Sequence, residues 1–228
     1  MGTTPAPLPN QQLEIAYYME LQRRIFDIFR YVSCHEANFG TYSIILESVL
    51  VDAGSFFDSE CQTFIRHLAS NGYTFKAEAN VKDFRRKGEG KDNFNFADYR
   101  TLLESDFRVS TMEVNLNPYD DAFFANPAQH IPDKVNGYLL SPFKDWSTGS
   151  SSFWWSAFTD LKHDRLSNFR NATLGAVVHT MAAVFVILSI NNESAFKQGQ
   201  ISTAAYDLFL PKYWKWKGRV MPGNLMWE

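Results

Sequence analysis

Cysteine is scarce in this chain: Cys34 and Cys61 are the only two among 228 residues. They lack CxxC spacing, so the sequence holds neither a thiolate metal site nor a disulfide framework. Both sit in apolar stretches, where reduced, buried thiols are expected. Neither sign of charge is in excess. The net charge is −3, from 22 Lys+Arg and 25 Asp+Glu, so no global basic field draws nucleic acid and any such site must be a local patch. The first ten residues have no basic stretch leading into an apolar one, which argues against a signal peptide; three prolines there suggest a flexible lead-in. The longest apolar run, residues 176–190, is shorter than the roughly 20 residues of a membrane span. His179 and Thr180 interrupt it, so it is predicted to be a core helix and no membrane partner is expected. Gly88 and Gly90 do not belong to a GxxxxGK[ST] or GxGxxG phosphate cradle, and His35-Glu36 has no second ligand pair. No metal or other cofactor is therefore expected. Together these features place the chain among soluble, cytoplasmic proteins.

Aromatic residues are plentiful, with 20 Phe, 10 Tyr and 6 Trp, which predicts a core and interfaces built on rings. Hydrophobic residues make up 45% and charged residues 21%, enough for a real core. The length suits one domain, read as residues 11–228.

Apolar residues at three- and four-residue steps predict a helix over residues 11–34, with Leu13, Tyr17, Leu21, Ile25, Ile28, Phe29 and Val32 on its buried stripe. A second helix is predicted over 43–70, with Ser43 as its N-cap and Asn71-Gly72 as its stop. Its stripe is read as Ile45, Val49, Ala53, Phe56, Phe57, Cys61, Phe64, Ile65 and Leu68. Residues 73–142 read as an irregular or small β insertion. Within it, 73–92, ending in FRRKGEGKD, is predicted to be an exposed loop, 95–104 a short helix, and the alternation of Met112, Val114 and Leu116 a strand. One long helix is predicted over 152–190. A shorter one follows over 195–209, stopped by Pro211. The tail LPKYWKWKGR reads as an arm packed on the bundle, or as a stacking surface for single-stranded nucleic acid. The fold class is mainly α, an up-and-down helical bundle.

The stretch SSFWWSAFTDLKHDRLSNFRNATLGAVV carries the most chemical information. If it is one helix, Asp160, His163, Ser167 and Arg170 form a polar column, with Lys162 and Arg165 to one side. Charged groups entering an apolar bundle need partners, and Glu47, Asp52, Asp58 and Glu60 of the second helix are the candidates. Trp154 and Trp155 are either core packing or base-stacking platforms. His179, inside the apolar run, reads as a satisfied core histidine.

Paired Trp, then Lys-His-x-Arg, then a helix with an Ala-Thr-Leu step resembles the HEPN-like proteins of prokaryotes, as do the upstream TYSIILESVLVDAGSFFDSE and the later SPFKDW. That resemblance covers residues 41–70 and 139–190. It implies an all-helical up-and-down bundle, a homodimer, and a setting in prokaryotic defence or toxin–antitoxin systems. Many such proteins are metal-independent ribonucleases with an Arg and a His four to six residues apart. In that chemistry a His moves a proton at the 2′-hydroxyl or leaving oxygen, and an Arg stabilises phosphate charge. The present chain departs from the spacing. No His lies within seven residues after Arg165, and His163 precedes it by two, about 200° around an ideal helix. Two readings follow. The first is a non-catalytic module binding RNA, a nucleotide or a protein, with Lys162, Asp160, Trp154 and Trp155 at its ligand. The second is an endoribonuclease with His163, Arg165 and Arg170 as catalytic groups.

Overall fold

The computed structural model describes residues 11–116, 138–192, 208–211, 214–216 and 219–221. Over these residues the protein is mainly helical. Its helices are α1 (Gln11–Phe29), α2 (Ile44–Ser70), α3 (Phe84–Gly88), α4 (Phe96–Phe107), α5 (Phe153–His163) and α6 (Leu174–Asn191).

Four of these form the bundle, and they alternate in direction. Tyr17 of α1 meets Phe56 of α2, with ring centroids 4.8 Å apart, while Arg24 reaches back to Ser48 and Asp52, so α1 and α2 run antiparallel. Trp154 of α5 packs on Phe57, and Phe158 packs on Gly54, so α5 opposes α2 as well. The starts of α2 and α6 lie together, through a backbone bridge between Tyr42 and Thr173 and a bond from Leu174 N to Thr41 O at 2.8 Å. α2 and α6 therefore run parallel in the centre, flanked by α1 and α5.

Local chemistry sets the ends of α2. Ser43 Oγ accepts the Leu46 amide at 3.1 Å. At the other end Asn71 covers the His67 carbonyl, and Gly72 supplies the left-handed turn at φ 75°. α6 is apolar on all sides and is the helix the core forms around. By length and composition alone it could cross a membrane, but 89% of it is buried inside the protein, as a core helix should be.

Helix phase differs from the expected stripes. Leu13, Tyr17 and Ile45 are exposed, while Tyr18, Leu46 and Leu50 are buried in their place. Counting apolar letters does not separate neighbouring faces when two adjacent residues are both apolar, as in Tyr17-Tyr18 and Ile44-Ile45-Leu46.

The largest correction concerns residues 152–190, which form two helices. α5 stops at His163, and a tied reversal leads to α6. Residues 73–92 are also more ordered than a solvated loop. α3 lies within FRRKGEGKD, and Lys87 turns inward to pair with Asp98 of α4 at 2.5 Å. Phe75, Phe94, Tyr99 and Phe107 extend the core beneath α3 and α4.

The predicted strand at 112–116 is present as β1 (Val114–Leu116). It lies between β2 (Tyr138–Leu140) and β3 (Phe209–Pro211) in an antiparallel sheet. β3 replaces the end of the helix predicted over 195–209; residues 193–207 lie outside the described residues. Pro211 ends β3, which is an edge strand of this sheet, the kind of position where proline is tolerated. β4 (Trp214–Trp216) and β5 (Arg219–Met221), both within the basic aromatic tail, pair antiparallel.

Candidate interaction site at one end of the bundle

Trp154 and Trp155 lie in the first turn of α5, whereas Asp160, Lys162, His163, Arg165 and Arg170 fall at the end of the bundle where α5 finishes and α2 and α6 begin. A dense set of capping groups makes the reversal there. Asp164 Oδ1 accepts from Ser167 N at 3.2 Å, and bonds from Ser167 hold the Asp164 carboxyl below its usual range. Asn168 Nδ2 donates to the carbonyls of Asp160 and Asp164, tying off the last turn of α5. Asn171 donates to Asp160 Oδ2 at 3.2 Å. Thr173 Oγ1 then caps α6 through the Ala176 amide. Each of these residues bonds backbone more readily than it sits inside a helix, and that signal was available in the sequence. Gly175 completes the join: its amide donates to Phe39 O at 2.9 Å, and a Cβ there would meet the Phe39 carbonyl at 3.2 Å.

The break dissolves the expected polar column. Asp160 and His163 stay on α5, whereas Ser167 and Arg170 lie in the reversal. Lys162, His163, Arg165 and Arg170 are all exposed. Lys162 Nζ lies 5.6 Å from the Phe158 ring centroid. Arg165 Nε sits 2.7 Å from Glu47 Oε1, so one of the four anticipated acidic residues does pair with the basic segment; Glu47 is only 7% exposed while Arg165 is 62% exposed. Asp52 is paired with Arg24 instead, and Asp58 accepts the Tyr99 hydroxyl at 2.6 Å.

The two tryptophans serve packing. Trp154 is fully buried, with its Nε1 donating to Pro142 O at 2.8 Å, so no base can stack on it. Trp155 is half-buried and stacks on Phe96, with centroids 4.4 Å apart and planes 11° apart. His179 donates from Nδ1 to Gly175 O at 2.9 Å and lies edge-on to Phe39 and Phe153. Burial pushes its pKa down, and it is a partly buried, hydrogen-bonded histidine. Cys34 and Cys61 are buried thiols, and burial pushes Cys34 up to about 12.

The sequence reading missed the apolar side of this end. Leu166 is 90% exposed, Ile44 75% and Ile45 63%. Tyr42, also exposed, lies edge-on to Phe169 at 5.7 Å. No local signal marks the two isoleucines, because adjacent apolar residues can share the buried arc, as Val49 and Leu50 do in the same helix. Among the described residues no group of three or more His, Cys, Asp or Glu side chains converges to hold a metal ion. No protein-family model, curated protein or solved structure matches the chain.

Proposed function

We propose that this chain is a HEPN-like, non-catalytic binding module that docks a protein partner, a second copy of itself included, through the bundle end around Leu166. One observation carries the reading. Leu166, Ile44 and Ile45 stand in solvent at 90%, 75% and 63% exposure around the Arg165–Glu47 pair. A contiguous group of exposed aliphatic side chains rimmed by charges marks a protein contact surface. Such side chains contribute nothing to phosphate binding, and of the two tryptophans considered for base stacking Trp154 is enclosed in the core and Trp155 is stacked on Phe96. The alternation in direction of α1, α2, α5 and α6 supports the HEPN-like placement. A cytoplasmic role in prokaryotic defence or a toxin–antitoxin pair follows from that resemblance alone.

The ribonuclease reading draws less support. His163 is the last residue of α5, Arg165 is engaged by Glu47, and Arg170 lies across the reversal. Two measurements test the proposal. Sedimentation of wild type and Leu166→Asp should show self-association in the first and its loss in the second. Incubation with mixed single-stranded RNA, with and without EDTA, should show no cutting. Metal-independent cutting that disappears in His163→Ala would replace the binding reading with the enzymatic one.

A further inference from the structure

Towards the opposite end of the bundle, the antiparallel register that sets Tyr17 against Phe56 and Arg24 against Asp52 brings Glu14 of α1 opposite Glu60 of α2 in a buried junction. They are 8% and 3% exposed. The Oε2 atom of each is buried without a hydrogen-bond partner, and so are both carboxamide atoms of Asn191, the last residue of α6. The groups around the pair can be named element by element. From α1 comes Tyr18, buried against Phe185. From α2 come Cys61, whose thiol is buried, and Asp58, whose carboxylate is taken by Tyr99. From α6 comes the uncharged Asn191. Among the described residues no Lys, Arg or His forms an ion pair with either carboxyl.

Two ionised carboxylates cannot occupy such a place cheaply. Each loses its hydration, each repels the other, and among the described residues no cation repays the loss. One neutral carboxyl beside one carboxylate resolves this, because the neutral O–H can donate to its partner.

We propose that Glu14 and Glu60 share one proton and form a pH-sensitive latch that holds the first turns of α1 against α2 and α6. Burial and the neighbouring Glu14 charge push the Glu60 carboxyl up to about 8, with Asn191 acting weakly the other way. Burial also raises Glu14. Because the folded carboxyl holds its proton more tightly than the unfolded one, the latch is fully closed in acid. It weakens as pH rises from the ordinary carboxyl range and opens as pH passes the folded value. α1 is the part that yields. In its first two turns Leu13 and Tyr17 point to solvent, so Glu14, Ile15 and Tyr18 are its buried anchors there.

The test is amide hydrogen exchange across pH, corrected for intrinsic rates. Between about pH 6.5 and about pH 9, protection of residues 12–20 should fall about ten-fold more than that of residues 177–188, as a local opening separate from the core. Glu60→Gln, which keeps shape and cannot ionise, should remove that difference. A second measurement needs no variant: the infrared C=O band of a protonated buried carboxyl should be present at neutral pH and vanish on the alkaline side. Uniform protection of α1 and α6 across this range overturns the latch, and so does a missing carboxyl band at neutral pH. Recovery of α1 protection at high pH on adding Mg²⁺ or Ca²⁺ alone would also overturn it, by showing that a cation and not a proton neutralises the pair.

Discussion

Phe158 of α5 lays its ring where Gly54 of α2 has no side chain. A Cβ on Gly54 would stand 2.5 Å from Phe158 Cγ, well inside van der Waals contact. Both residues are buried at the crossing of the two helices. Glycine costs helix propensity, about 1 kcal/mol relative to alanine, so its use in mid-helix is explained by this approach. Gly54→Ala should therefore destabilise the protein by about 1–3 kcal/mol through overpacking, in spite of its better propensity. Denaturant midpoints of wild type and variant check this, and a gain in stability would show that α5 moves aside without cost.

How far the fold could be read from the letters follows from cases such as this. The ends of α2 were legible because Ser43 and Asn71-Gly72 act locally, and β1 was legible because Met112, Val114 and Leu116 alternate with polar residues. The break between α5 and α6 was missed because an apolar run on either side of Asp164–Thr173 outweighed a set of capping residues that act only in concert. The inward turn of Lys87 and Glu60 was not legible: Lys87 lay in a stretch read as an exposed loop, a charged residue such as Glu60 on a predicted helix is expected outside, and only the packing of α4 and α1 shows otherwise. The site was half legible. The basic residues of LKHDR and the acidic partner Glu47 were foreseen, whereas the exposure of Ile44, Ile45 and Leu166 depends on helix phase and on the turn.

Lys87 and Asp98 make a buried ion pair, with side chains 11% and 10% exposed. Asp98 is doubly committed, because the same Oδ2 accepts the Asn95 amide at the start of α4. Lys87→Met keeps the stem and removes the charge, leaving Asp98 buried beside one amide donor. That should cost about 3 kcal/mol and loosen α3 first. Urea unfolding, with proteolysis near residues 84–92 as a local probe, measures it. A loss below about 0.5 kcal/mol would mean that the pair is solvated as a surface bridge is.

His179 gives the acid side of the pH profile. Its folded pKa lies below the ordinary 6.5 because burial opposes the charged ring, and the nearby Lys144 adds to this. The unfolded chain therefore takes up the proton first as pH falls, so the unfolded state binds more protons. Stability should be fully present above about pH 6.5 and decline below it. His179→Asn should flatten that decline while lowering stability at neutral pH, since the contacts with Phe39 and Phe153 are lost. Thermal midpoints between about pH 5 and about pH 7.5 decide the matter: an unchanged slope in the variant would assign the decline to other groups.

Arg165 and Glu47 form an unequal pair, and the inequality predicts which loss matters more. Glu47 is nearly enclosed at the start of α2, whereas Arg165 stands mostly in water. Removing the arginine strands a buried carboxylate; removing the carboxylate leaves a guanidinium that water already solvates. Arg165→Ala should therefore destabilise the fold by about 1–2 kcal/mol, discounted from a buried pair because the arginine is exposed. Glu47→Gln should cost less, since the amide keeps the shape and carries no charge to strand. The double variant should be no less stable than Arg165→Ala alone, because with Gln at position 47 nothing charged remains to be stranded. A double-mutant cycle measured by denaturant unfolding isolates this coupling. Equal effects of the two single changes would mean that the pair acts as an ordinary surface bridge, and that Arg165 is free to serve a bound partner directly.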